Sequence, residues 1–164
     1  MAFISISITK NHPLILGKGG FGRQLADWLS AEGWGEAEFL DDSAPGCVGG
    51  LRDYADPKLL KPGRPAFVAL GDNALRVELL QKLAAAGYDT PVFISDMAAV
   101  SPSAVLEPGC VILPQAYVGA DAHLGVGCII NGGAIVDHDA VLGRGVHVAR
   151  SEEHTSELQS RQVI

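Results

Sequence analysis

Asp137-His138-Asp139 is the densest chemical signal in the chain. A histidine between two carboxylates can be oriented by one and made more basic by both. Its ordinary pKa near 6.5 suits a general base at neutral pH. Spacing alone leaves a solvated corner histidine as the other reading. His147 follows nine residues later, and His123 reads as a surface residue. Three histidines raise the question of a metal, but their spacing lets no two share a face, so no metal is expected. A second signal lies at Gly17-Lys18-Gly19-Gly20-Phe21-Gly22. Gly17, Gly19 and Gly22 fit G-x-G-x-x-G between a short apolar strand and a helix. A loop backbone followed by a helix N-terminus can hold a phosphate. Asp41 and Asp42, after the second strand, can accept from a ribose hydroxyl. Glycines that merely allow a tight turn leave the same pattern.

The elements that carry these residues differ in period. Residues 100–149 repeat every six. Aliphatic residues stand at Val100, Leu106, Ile112, Val118, Leu124, Ile130, Val136, Leu142 and Val148. Small residues follow four places later at Ala104, Cys110, Ala116, Ala122, Cys128, Ala134 and Ala140, with Val146 closing the series. This period fits neither a free helix nor a hairpin and predicts the hexapeptide repeat of a parallel β-helix. Three hexapeptides close one coil, so about 18 residues raise the chain by one strand spacing of roughly 4.8 Å. Asp137 to Asp139 then fall at and after a corner, where side chains can point outward. Cys110 and Cys128 stack on successive coils. Because both occupy the small interior slot, core packing accounts for them without a disulfide or metal.

Residues 13–95 alternate strands with helices instead. Pro13–Leu16, Ala37–Leu40, Pro65–Leu70 and Pro91–Ile94 read as strands. Helices are predicted from Phe21 to Ala31 and from Ala74 to Ala86, closed by Gly33 and Gly87. Such alternation predicts a parallel sheet covered on both faces. The glycine loop alone would suit a nicotinamide-dependent oxidoreductase. With four strands in about 80 residues, however, the unit is roughly half a dinucleotide fold. A mononucleotide or sugar nucleotide fits that size better. The division expected is a Rossmann-like nucleotide-sugar-binding unit at 1–97, an incomplete β-helix at 98–149, and a tail at 150–164.

The tail stands apart. Arg150-Ser-Glu-Glu-His-Thr-Ser-Glu-Leu-Gln-Ser160 resembles the translation of a common sequencing-library adapter. Such a segment is an artefact and no part of the fold. The expectation is a natural chain that continues beyond Ala149. The opening residues, Met1 to Lys10, alternate like a short strand, with upstream sequence read as coding as the other reading. Composition bounds the rest. Lys and Arg number 12 against 19 Asp and Glu, for a net charge of −7. No basic track suits a nucleic-acid partner. No apolar run reaches the ~20 residues of a membrane span, and no signal-peptide pattern opens the chain. Three cysteines, an odd number, point to a reducing compartment, so a cytoplasmic location is expected.

Taken together, the glycine loop, Leu40-Asp41-Asp42, Leu70-Gly71-Asp72-Asn73, Ser101-Pro102-Ser103 and Val136-Asp137-His138-Asp139 resemble the NeuD/PglD family of sugar O- and N-acyltransferases. The resemblance covers residues 13–149. It implies a Rossmann-like half-domain followed by a left-handed β-helix, with left-handed crossovers that depart from the usual rule, and a homotrimer. It also implies acetyl-CoA-dependent transfer to an amine or hydroxyl of a nucleotide-linked sugar. By resemblance His138 is the general base, Asp139 its supporting carboxylate, and His147 the second histidine, on the acetyl-CoA side. The sugar nucleotide would lie against Gly17, Gly19, Gly20, Phe21 and Gly22, with Asp41 and Asp42. The family often has histidine where this chain has Phe21. Its later coils, which hold coenzyme A, have no counterpart before Ala149, so this copy is expected to be inactive. A nicotinamide-dependent oxidoreductase and a non-catalytic nucleotide-binding scaffold remain the alternative readings.

Overall fold

The computed structural model describes residues 12–61 and 63–149. The strand expected at Met1–Lys10 and the tail at 150–164 lie outside the described residues. The first unit contains β1 (Leu14–Leu16), α1 (Gly20–Ala31), β2 (Glu38–Leu40), a single 3-10 turn (Asp53–Ala55), β3 (Ala66–Val68) and α2 (Asn73–Ala86). Its strands form a parallel sheet in the order β2-β1-β3, with Leu14 opposite both Glu38 and Ala66. All three residues of β1 are buried, as a central parallel strand with two covered faces requires. Alternation divides them between two layers. Leu14 and Leu16 pack with Leu79, Leu80 and Leu83 of α2, whereas Ile15 packs with Leu25 and Leu29 of α1. The Asp72 carboxylate accepts from Leu75 N–H at 2.9 Å and caps α2, and Gly87 ends it with φ +103°.

The second unit is a parallel β-helix of two-residue strands. They are β4 (Phe93–Ile94), β5 (Ala99–Val100), β6 (Val105–Leu106), β7 (Val111–Ile112), β8 (Tyr117–Val118), β9 (His123–Leu124), β10 (Ile129–Ile130), β11 (Ile135–Val136), β12 (Val141–Leu142) and β13 (His147–Val148). They stack into three sheets, β13-β10-β7-β4, β11-β8-β5 and β12-β9-β6. The interior column of Ile112, Val118, Leu124, Ile130, Val136 and Leu142 is buried with Cys110, Ala116, Ala122, Cys128 and Ala134. Every sixth residue from Gly109 to Gly145 has a left-handed backbone, with φ between +57° and +74°. Glycine fills four of these corners, and Gln115, Asp121 and Asp139 fill the others.

One expectation is corrected. Pro91–Ile94 does not supply a fourth strand to the first sheet. Phe93–Ile94 pairs with Val111–Ile112 and forms the first rung of a solenoid sheet. The reason lies in the register: Val92 and Ile94 already fall on the six-residue pattern, and Val92 packs against the solenoid core. A short apolar run cannot announce which sheet it joins. This rung also joins the two units. Phe93, Val111 and Ile129 point outward from the solenoid into a core shared with Ile15, Leu25 and Phe67. The other two sheets turn Tyr117, Ile135, Val105 and Val141 outward, with Ile135 and Val141 exposed by 71% and 72%.

Candidate active site

Strand β11 delivers His138 to a corner. Residue 139 must adopt the left-handed backbone there, and Asp139 does so at φ +58°; aspartate is among the non-glycine residues that tolerate this region best. From that position its Oδ2 stands 2.6 Å from His138 Nδ1. Asp137 Oδ1 accepts from the His138 backbone N–H at 2.7 Å and lies 3.9 Å from Nε2. The imidazole is 70% exposed. Its pKa is raised, first by the hydrogen bond to Asp139 and then by the charges of Asp137 and Asp139. With Nδ1–H donating to Asp139, Nε2 of the neutral ring carries the lone pair. A cavity of about 280 Å³ opens beside it, lined by Ile135, His138, Ala140, Leu142 and Val148 among others.

The coil beneath fixes this corner. Gly119 N–H donates to the Val136 carbonyl at 2.8 Å, and Asp139 N–H donates to the Ala120 carbonyl at 2.9 Å. A Cβ on Gly119 would stand 2.5 Å from His138 N, so only glycine permits this approach.

The glycine loop is equally crowded on its inner side. A Cβ on Gly22 would collide with the Gly17 carbonyl, and Gly17 itself has φ +100°. Gly19 and Gly20 face open space instead, and no side chain caps α1. The N-terminus of α1 is thus open at the point where a phosphate would approach. Phe21 projects from the same loop, and its ring centroid lies 6.4 Å from that of His147 on β13. The structure therefore brings the glycine loop and His147 together. His138 stands on a corner after a different sheet. His123, on β9, meets Glu107 at 2.9 Å on a separate face.

Asp41 and Asp42 hold their own loop. Asp41 Oδ2 accepts from Lys18 N–H at 2.8 Å, while Oδ1 accepts from Ser43 and Ala44 N–H, each at 2.9 Å. These backbone donors, Lys18 first, lower its pKa to about 2. Asp42 Oδ1 accepts from Leu51 N–H at 2.8 Å.

Two residues escape sequence reasoning. Lys18 ties the glycine loop to the next one, donating from Nζ to the Pro45 carbonyl at 2.7 Å while lying 5.4 Å from the Phe39 ring centre. Arg76 is fully buried between the two units. A charged residue inside the apolar stripe of α2, between Asn73 and Leu80, is its only sequence signal.

A glycine-loop α/β unit docked on a hexapeptide solenoid is the fold of the left-handed β-helix acetyltransferases. The profile of the PglD N-terminal domain matches residues 14–83. The acetyltransferase domain of PglB from Neisseria gonorrhoeae FA1090, solved in complex with acetyl coenzyme A, is 35% identical. That match covers 85% of this chain and 70% of the other, with a TM-score of 0.75. PerB from Caulobacter crescentus, solved with CoA and GDP-perosamine, is 32% identical over 83% of this chain and 67% of its own, with a TM-score of 0.72. WeeI from Acinetobacter baumannii AYE, at 17% identity and a TM-score of 0.55, shares the fold. No match is found among curated proteins. The chain belongs to the NeuD/PglD family of sugar acyltransferases.

Proposed function

We propose that this protein transfers the acetyl group of acetyl-CoA to an amine or hydroxyl of a nucleotide-linked sugar, with His138 as general base. The observation that carries the reading is the exposed imidazole bonded through Nδ1 to Asp139 at 2.6 Å, beside a cavity. Nε2 takes the proton of the acceptor as its nitrogen or oxygen attacks the thioester carbonyl carbon. The carbon–sulfur bond breaks, and the imidazolium returns the proton to the departing thiolate. Asp139 orients His138 and stabilises its charged form. A backbone N–H of an adjacent coil stabilises the oxyanion.

The glycine loop, with Gly17, Gly19, Gly20, Phe21 and Gly22, holds the sugar nucleotide together with Asp41 and Asp42. His147 serves the acetyl-CoA side. A thioester is already activated, so this sequence of steps uses no metal. The relatives solved with GDP-perosamine, CoA or acetyl coenzyme A support both ligand classes. The exposed columns at Val105, Tyr117, Ile135 and Val141 support a homotrimer whose cleft lies between neighbouring solenoids. Nucleic acid and membrane are not partners in this reading, and the site of action is the cytoplasm. No helix among the described residues is long and apolar enough to cross a membrane.

Competitive titration with GDP, UDP and NAD, followed by mass spectrometry of sugar nucleotide incubated with acetyl-CoA and the full-length protein, tests the proposal. Preference for GDP or UDP and an acetylated sugar product are expected. Preference for NAD would favour an oxidoreductase. Nucleotide binding without consumption of acetyl-CoA would favour a scaffold.

A further inference from the structure

Arg76 holds a buried charge that the acyl-transfer steps do not use. Its residue is 0% exposed. Nε donates to the Gly127 carbonyl at 2.9 Å, and Nη1 donates to the Leu70 carbonyl at 2.7 Å. Nη2 donates to Asn73 Oδ1 at 2.9 Å and to the Gly145 carbonyl at 2.6 Å. One planar fork thus spans both units. Leu70 follows β3 and borders the glycine loop, where its Cδ2 would lie 2.7 Å from a Cβ on Gly17. Gly127 and Gly145 are corners of successive coils, and Gly145 stands two residues before His147.

The helix beneath the fork follows the same column. Leu80 packs on Gly109 and Gly127, and Val77 and Asn73 pack on Gly145, each within 2.9 Å of where a Cβ would stand. Seven residues of helix rise about 10.5 Å, close to two coil spacings of about 9.6 Å. The helix can therefore step along the solenoid one coil at a time. Packing contacts of this kind hold α2 against the solenoid but fix no hydrogen-bond register. A guanidinium bonded to three separate carbonyls and an amide oxygen does not. Burying it without an ion-pair partner among the described residues is costly, and an apolar side chain would fill the space at less cost. Its presence is explained if orientation rather than stability is what it supplies.

We propose that Arg76 is a positioning residue that locks the glycine loop in register with the coil bearing His147. The inference rests on reading those two elements as parts of one active site. Hydrogen exchange by mass spectrometry on the 164-residue chain tests it, comparing wild type with Arg76→Gln and Arg76→Lys. Arg76→Gln is expected to speed exchange on the order of 10-fold or more at residues 17–22, 69–76 and 143–148. Residues 117–124, on the far sheets, should exchange as in wild type. Arg76→Lys keeps the charge without the fork and should restore protection in part. If Arg76→Gln does not fold, Arg76→Lys against wild type makes the same regional comparison.

A uniform rise across all segments would show a merely structural role and overturn the proposal, as would unchanged exchange at 143–148. In the full-length enzyme, Arg76→Gln should lower kcat on the order of 10²-fold, the scale of a small misplacement. The pH midpoint set by His138 should stay unmoved. Absence of acetyl transfer in wild type would sink the acyltransferase reading, yet the exchange pattern would still decide the role of Arg76.

Discussion

Asp139 meets two demands with one side chain. The corner requires a left-handed backbone, and the histidine before it requires a carboxylate within hydrogen-bond reach. An asparagine at this corner would satisfy the first demand and fail the second, which makes Asp139→Asn an informative substitution. Its expected effect is a fall of the His138 pKa from its raised position toward the ordinary value near 6.5. The sign follows from linkage. A raised folded-state pKa means that the fold favours the protonated imidazole. That contribution is present below the unfolded pKa and fades as pH rises through the folded one. The neutral base that attacks protons therefore accumulates only above the raised value. An NMR titration of the imidazole checks this, and an unchanged midpoint in Asp139→Asn would remove Asp139 from the electrostatics. The Asp-His-Asp tripeptide is legible in the sequence because its partners are adjacent. The roles of Arg76 and Lys18 are not, because most of their acceptors are carbonyls 27 to 69 residues away, and backbone carbonyls leave no mark in a sequence.

The elements show the same divide between local and distant causes. A six-residue period is a property of each coil and reads directly from Val100 to Val148. The pairing of Phe93–Ile94 depends on a strand 18 residues away, and its apolar run suits either sheet. Helix ends are legible to within a residue, since Gly87 closes α2 by local backbone geometry. The tight approach of Gly119 to His138 belongs to the stacking of coils and carries a prediction. Gly119→Ala places a Cβ 2.5 Å from His138 N, against backbone that cannot rotate away. It should cost about 1–3 kcal/mol, the range for overpacked sites, and displace the His138–Asp139 pair. Gly143→Ala faces open space without a positive φ and should stay within about 0.5 kcal/mol of wild type. Thermal unfolding of the two variants makes the comparison, and equal losses would mean that the corner is softer than its packing indicates.

At the scale of the whole molecule, two units of different period share one core. The solenoid presents Phe93, Val111 and Ile129 to the first sheet, and α2 runs along the corner glycines. This arrangement brings the open N-terminus of α1 and Phe21 to His147, while His138 occupies an exposed corner of the same solenoid. A nucleotide loop alone binds, and a histidine on a solenoid alone is a weak base in water. In the proposed function the loop holds the acceptor and His138 deprotonates it in a cleft between neighbouring solenoids. The most direct test is the initial rate of coenzyme A release from acetyl-CoA by the full-length protein with a GDP- or UDP-linked amino sugar, in wild type and His138→Ala. The account predicts release that requires the sugar nucleotide and falls on the order of 10²–10⁴-fold in His138→Ala, the scale of a lost general base. Wild-type rates in His138→Ala, or release indifferent to the sugar nucleotide, would contradict it.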